Sequence, residues 1–193
     1  GAGGDGGTAI SGAEVDAGRA GNGGKGGDIS ITLDTGASIE TSGDSSSAIL
    51  AQAQGGQGGV SGKEDTAAST AVTSVGGTGG AAGVVNVQLG SGVQLKTAGA
   101  SSDGVTARSL GGKGGDSGGA VGSFTSSRSG DGGAGGYAGG MDVASGATIV
   151  TEGDTSRGVL AQAISGIGGA PDSEPNTPDA LPLAPPMCGR ASG

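Results

Sequence analysis

The feature that most constrains the fold of this chain is an internal repeat, whose pattern starts again at residue 39, at residue 95 and at residue 149. Three related segments each end in a glycine-rich run, at residues 39–59 (IETSGDSSSAILAQAQGGQGG), 95–115 (LKTAGASSDGVTARSLGGKGG) and 149–169 (IVTEGDTSRGVLAQAISGIGG). The third copy follows the second at a slightly shorter spacing than the second follows the first. A nearly fixed period of this kind indicates a repeat architecture, in which each unit packs against its neighbours along the chain.

Each unit contains short stretches in which apolar and polar residues alternate. This period-two pattern is typical of a β-strand with one buried face, and no stretch shows helical periodicity. The residues predicted to face inward are Ile29, Ile31 and Leu33, then Ile49, Ala51 and Ala53 (with Leu50 and Gln52 facing outward), and in the third copy Val159, Ala161 and Ala163. We therefore expect an all-β fold, a parallel β-helix (solenoid) with three strands per unit and glycine-rich turns.

Alignment of the copies predicts which residues stack on one another. Val85, Val87 and Leu89 align with Ile29, Ile31 and Leu33, while Met141, Val143 and Gly146 align with Val87, Leu89 and Gly92. The predicted columns are Ile39, Leu95 and Ile149 inside, and Glu40, Lys96 and Val150 outside, with a ladder at the Gln52 and Gln162 positions. Ala71, Val72 and Val75 are candidates for one more short strand, and Val121 and Phe124 are aligned with Val72 and Val75.

The repeats divide the chain into a repeat region at 1–170 and a tail at 171–193. The units lie near 1–28 (partial), 29–84, 85–138 and 139–170, and the excursions at 60–83 and 116–138 add either a partial turn or a loop. The tail contains all six prolines and the single cysteine, Cys188, so we expect it to be disordered. Because the chain begins inside a glycine run, we expect it to be a fragment of a longer array.

Composition excludes several classes of function. Glycine accounts for 50 of the 193 residues, and Phe124 and Tyr137 are the only aromatic residues, so a core of large side chains is not available. The net charge is −9 and the basic residues are scattered, which argues against a nucleic-acid partner. With no histidine, a Ser-His-Asp triad is impossible. The acidic pairs Glu40/Glu152 and Asp44/Asp154 are expected to be solvated, so we predict no catalytic residues and no enzyme.

Two glycine motifs are candidates for ligand sites. Gly1, Gly3 and Gly6 match a dinucleotide-binding fingerprint, but no βαβ context accompanies them. Residues 23–28 and 111–116 resemble the calcium-binding nonapeptide, yet Ser30 and Gly118 stand where it needs a large apolar residue. We predict no metal site, no cofactor-binding site and no cofactor, and the sequence leaves calcium binding open.

The segment at 158–169, GVLAQAISGIGG, resembles a recurrent motif in the passenger region of Gram-negative autotransporters. The segment at 48–59, AILAQAQGGQGG, is similar, and the copy at 104–115 departs from the motif at Thr106 and Arg108. The resemblance implies that 1–170 forms passenger repeats, a right-handed β-helix that is exported and displayed at the cell surface or released. It also implies a parent protein held in the outer membrane by a C-terminal β-barrel that this chain lacks.

The expected function is that of a non-enzymatic structural or adhesive segment, surface-displayed or secreted. Its partners would be an unknown host or surface ligand, or neighbouring cells. The alternative is a glycine-rich repeat protein of another kind, such as the mycobacterial glycine-rich surface proteins or an ice-binding solenoid, again with no catalytic role. Regular Thr-x-Thr arrays typical of the latter are absent, since Thr41, Thr97 and Thr151 stand singly.

Overall fold

The structure is a computed structural model, and it describes residues 1–8, 14–65, 70–72, 74–121, 126–128 and 130–171. These residues form fourteen short β-strands and no helix. The strands are β1 (Glu14–Asp16), β2 (Ile29–Leu33), β3 (Ser38–Thr41), β4 (Ile49–Gln54), β5 (Glu64–Asp65), β6 (Thr70–Val72), β7 (Val85–Leu89), β8 (Gln94–Thr97), β9 (Val105–Leu110), β10 (Ala120–Val121), β11 (Ser126–Arg128), β12 (Met141–Ser145), β13 (Thr148–Thr151) and β14 (Val159–Ile164).

Nine of the strands build three parallel sheets, in which each strand pairs with its counterpart from the neighbouring repeat. The strand orders are β12-β7-β2, β13-β8-β3 and β14-β9-β4. The middle strand always comes from the second repeat, so one repeat supplies one layer to all three sheets. The prediction of an all-β fold with stacked parallel strands is confirmed.

The core consists of small apolar columns that run across these sheets. Leu95 is paired with Ile39 on one side and with Ile149 on the other, which confirms the predicted column, and it is only 1% exposed. The columns are most deeply buried in the second repeat, because its strands are covered on both sides. Val159 pairs with the fully buried Val105, but it remains 44% exposed because β14 is an outer strand of its sheet.

One predicted alignment is wrong by two residues. Met141 pairs with Val85 rather than Val87, and Val143 pairs with Val87 rather than Leu89. The spacing between the first two repeats is therefore kept through β12 and becomes two residues shorter only at β13. The two residues that the third repeat lacks belong to the connector between β12 and β13. Gly146 donates its N–H to the carbonyl of Leu89, and it therefore takes the place of Gly90 rather than Gly92.

The glycine runs form ordered segments, whereas the sequence suggested flexible turns. We call these segments the glycine legs: the outgoing legs at 1–8, 55–62, 111–118 and 165–170, and the return legs at 17–28, 74–84 and 130–140. Along a leg, every third residue donates its N–H to the same neighbouring leg. In the leg at 55–62, for example, the N–H groups of Gly56, Gly59 and Gly62 donate to the carbonyls of Gly24, Gly21 and Gly18. A period of three residues with no hydrogen bonds inside the segment is characteristic of a polyproline II helix.

The glycine legs pack as two antiparallel layers. Within the outgoing layer, Gly58 bonds to Lys113, and within the return layer Gly79 bonds to Ala134, both at 2.9 Å or less. The layers approach so closely that a Cβ atom at Gly80 would collide with the carbonyl oxygen of Gly24. Glycine is therefore required there by the close approach of two backbones.

In each of the two excursions, a second set of short strands connects an outgoing glycine leg to the return leg that follows it. β6 lies between β1 and β11, and β5 pairs with β10, with the same spacing between partners as in the β2–β7 pair. Ala71 and Val72 lie in β6, as predicted, whereas Val75 lies outside the strand, in a return leg. Val121 aligns with Asp65 rather than Val72, so that alignment is wrong, and Phe124 lies outside the described residues. The tail beyond Pro171, including Cys188, also lies outside them, and its predicted disorder stays a prediction.

Candidate functional site

Five aspartate side chains and one asparagine side chain join one repeat to the next. Six aspartate or asparagine side chains accept a hydrogen bond from a backbone N–H that lies 54 to 56 residues later in the chain. The pairs are Asp5–Val60, Asn22–Thr78, Asp28–Val84, Asp44–Ala100, Asp103–Arg157 and Asp116–Ala170, with lengths of 2.8 to 3.0 Å. We call these contacts Asx staples. Their spacing matches the repeat, which gives these side chains a structural role.

The two acidic pairs that were candidates for catalysis are not brought together. Glu40 and Glu152 lie on either side of Lys96, whose Nζ is 4.0 Å from the first carboxylate and 3.2 Å from the second. Asp44 forms an Asx staple, and the carbonyl of Asp154 accepts the N–H of Ser101. These arrangements are those of an exposed ion-pair row and a stacked turn.

The aspartates of the two nonapeptide-like segments, Asp28 and Asp116, also form Asx staples, and each pairs with a nearby lysine. The carboxylate of Asp28 lies 3.9 Å from Lys25, and that of Asp116 lies 3.2 Å from Lys113. The N–H of Ala170, together with Lys113, holds the pKa of Asp116 below its usual range. Among the described residues, no group of three or more potential metal ligands occurs.

The dinucleotide-like glycines belong to the first outgoing leg. Gly3 and Gly6 donate their N–H groups to the carbonyls of Gln57 and Val60, at 2.7 and 2.8 Å. A Cβ at Gly3 would collide with the carbonyl of Gly21. The N–H groups of Gly3 and Gly6 are therefore engaged by protein backbone and are not free to bind a phosphate.

A ladder of hydroxyl groups that was not predicted from the sequence runs through the turns after β3, β8 and β13. Thr97 Oγ1 donates to the carbonyl of Ser102 at 2.6 Å, and Ser102 Oγ accepts the N–H of Ser46 at 3.0 Å. Ser156 Oγ in turn accepts the N–H of Ser102 at 2.9 Å. The signal was the recurring T-x-G-x-x-S pattern at 41–46, 97–102 and 151–156. The fifth residues of this pattern, Ser45, Ser101 and Thr155, adopt left-handed backbone angles with φ of 54°, 53° and 59°.

The outward side of the β14-β9-β4 sheet, which we call the outer face, carries three rows of side chains. The rows are Leu50/Thr106/Leu160, Gln52/Arg108/Gln162 and Gln54/Leu110/Ile164. The predicted ladder of Gln52 and Gln162 is therefore interrupted, because Arg108 lies between them. Arg108 Nε is buried and has no hydrogen-bond partner.

A shallow cleft of about 280 Å³ lies near the connectors that follow β2 and β7. Thr32, Asp34 and Gln88 contribute polar groups to it, and Leu33 and Leu89 contribute apolar ones. It contains a single titratable side chain, so it has no acid–base pair. Within the described ranges, no helix is long and apolar enough to span a bilayer.

Comparison with known proteins places the chain in no family. No family model matches it, and no curated protein matches it. One solved structure has limited similarity to the chain: the springtail antifreeze protein from Granisotoma rainieri, which is a bundle of nine polyproline type II helices. The sequence identity is 21%, and the match covers 78% of this chain and 94% of that chain. The TM-score of 0.21 is too low to establish a common fold.

Proposed function

We propose that this chain is a segment of a right-handed parallel β-helix in which each sequence repeat makes one coil. Three strands, an outgoing glycine leg, a second strand set and a return leg would complete each coil. The proposal is supported by the constant spacing between paired residues from β1 through β12. The hand of the coil comes from the autotransporter resemblance.

The proposed function is a non-enzymatic, surface-displayed or secreted structural and adhesive segment of an autotransporter-like protein. The observation that carries it is the location of the two motif copies. The LAQA portions of 48–53 and 158–163 lie within strands β4 and β14 of one sheet, both paired with β9. The motif therefore belongs to the packing of a stacked array, as in a passenger.

The mechanism is extended display on a scaffold whose polar backbone is satisfied by neighbouring coils. Asx staples and hydroxyl ladders join each coil to the next, and stability grows with coil number because contacts are made only between neighbours. The outward positions are then free to carry polar or apolar side chains. On this proposal the parent protein is anchored in the outer membrane, and its partners are host surfaces or neighbouring cells.

Display can be tested by fusing the full chain between an export signal and an autotransporter barrel in a Gram-negative host. Protease added to intact cells should cleave linkers but leave a resistant core. Two variants with the same change in composition show whether protease resistance depends on the folded core. Leu95→Asp places a charge in the buried column, whereas Leu50→Asp replaces a side chain that is 65% exposed. We expect the first to abolish the resistant core and the second to preserve it.

Adhesion is measured in the same cells. Cells that display the chain should be retained on host-cell layers, or on one another, more than cells that display the barrel alone. Equal retention would refute the adhesive role, and failure of the chain to reach the surface would refute the passenger assignment.

A glycine-rich repeat protein of another kind is the second candidate, and the two-layer packing of the glycine legs favours it. An ice-binding solenoid belongs to this class. The exposed positions of these legs carry charged side chains, including Lys25, Asp28 and Asp131, which interrupt any regular flat array. Thermal hysteresis of the purified chain separates the candidates: its presence supports ice binding, and its absence leaves the display proposal.

A further inference from the structure

We propose that the outer face binds an acidic polysaccharide, and that Arg108 receives a carboxylate of the sugar chain. Arg108 lies on the central strand of this sheet, opposite Gln52 on β4 and Gln162 on β14. The proposal names a ligand class for the adhesive display, and in that respect it rests on the proposed function.

The guanidinium of Arg108 has no partner among the described residues. Its Nε is buried without a hydrogen bond, and the ion pairs of the described ranges involve only lysines as cations. Buried donors in proteins are nearly always satisfied, so this nitrogen lacks an acceptor that its burial calls for, and a ligand supplies one when the Arg108 side chain turns toward solvent on binding. A carboxylate fits, because the planar guanidinium presents parallel N–H groups that match its two oxygens.

The neighbouring side chains are suited to a sugar. An amide both donates and accepts, so Gln52 and Gln162 can each bond a hydroxyl group beside the carboxylate. They flank Arg108 at one strand spacing, about 4.8 Å on either side. Leu50 and Ile164, which are 65% and 47% exposed, offer apolar contact to the C–H face of a ring. An acidic peptide is the competing ligand class, because its backbone amides can also bond to Gln52 and Gln162, and polyglutamate in the test distinguishes it from a polysaccharide.

The negative charge of the chain does not prevent an acidic ligand from reaching this face. Asp103, which precedes β9, accepts hydrogen bonds from the Thr106 hydroxyl at 3.1 Å and from the Arg157 N–H at 2.8 Å. Screening at physiological ionic strength limits repulsion from more distant acids to about 8 Å. The local charge that a ligand meets at the centre of the outer face is therefore the cation of Arg108.

The test is a calorimetric titration of the purified full chain with polygalacturonate and with its fully methyl-esterified form, which has the same backbone without the charge. We expect polygalacturonate to bind at least about tenfold more tightly than the ester. Arg108→Gln should weaken that binding by about tenfold or more, and Arg108→Lys should weaken it too because the fork is lost. Arg19→Gln, which removes an exposed arginine from a return leg, should change the affinity less than about twofold.

Equal binding of acid and ester, or unchanged binding by Arg108→Gln, would overturn the proposal. Equal competition by polyglutamate would overturn the assignment to a polysaccharide. Circular dichroism checks that Arg108→Gln is folded. If this variant is unfolded, the proposal is still tested by comparing polygalacturonate with its ester and the parent chain with Arg108→Lys. A failure here leaves the cell-display and retention results untouched, so the two proposals can fail separately.

Discussion

The carboxylate of Asp28 accepts a hydrogen bond of 2.8 Å from the backbone N–H of Val84, which lies 56 residues later in the chain. The same contact is made by an amide at Asn22, which accepts the N–H of Thr78 at 3.0 Å. A staple of this type therefore needs an acceptor oxygen at the right place and does not need a charge. Five of the 18 acidic residues are used in this way.

Removing one staple should destabilise the fold, and an amide should replace the carboxylate. We expect Asp28→Ala to lower the free energy of unfolding by about 1 kcal/mol, since the N–H of Val84 loses its acceptor. Asp28→Asn should cost less than about 0.5 kcal/mol, because the exposed pair with Lys25 contributes little. Urea denaturation measures both, and equal losses would show that charge, rather than the hydrogen bond, matters.

The same substitution should have very different costs inside and outside a column. Leu95→Ala should lower the free energy of unfolding by about 2–5 kcal/mol, because Leu95 is buried between Ile39 and Ile149. Leu50→Ala removes an exposed side chain and should cost less than about 0.5 kcal/mol. Thermal melts of the two variants compare them directly, and similar melting temperatures would reject the assigned facing.

Glycine legs should be intolerant of a methyl group only where backbones touch. Gly80→Ala should cost about 3 kcal/mol, since its Cβ would collide with the carbonyl of Gly24. A Cβ at Gly27 meets nothing within 4 Å, so Gly27→Ala should change stability by less than about 1 kcal/mol. If both variants melt like the parent, the close packing of the legs is wrong.

The stability contributed by Asp116 should depend on pH in the acid range. The N–H of Ala170 and the ammonium of Lys113 hold its folded pKa below the ordinary value of 3.8. This contribution is therefore fully present above that value, and it is lost as pH falls through the folded pKa. Melting temperatures between about pH 6 and about pH 2 should fall less steeply for Asp116→Asn than for the parent. Identical slopes would contradict the lowered pKa.

The columns were predictable because alternation and repeat spacing act together. Ile39, Leu95 and Ile149 are apolar at equivalent positions, and parallel strands that pair in register stack such residues. The error at Met141 has the same physical origin. A shift of two residues leaves every side chain on its original face, so an alternating pattern cannot distinguish Val85 from Val87 as its partner.

The glycine legs and the outer face were harder to predict. Glycine has no side chain to mark a face, so Gly18, Gly21 and Gly24 read as a flexible run although their spacing of three residues repeats. Arg108 was visible only as a departure from the motif. That its Nε is buried without a partner depends on packing against the neighbouring strands, which sequence does not give.

The glycine legs are ordered helices with three residues per turn. Each leg bonds to the equivalent leg of the neighbouring repeat and to a leg of the opposite layer. Amide hydrogen exchange across 111–115 tests this arrangement most directly, because Gly111, Gly112, Gly114 and Gly115 all donate to neighbouring legs or strands. The structure gives the N–H of Lys113 no acceptor among the described residues. We predict slow exchange at the four glycines and fast exchange at Lys113 between them. Uniformly fast exchange across the segment would contradict the account.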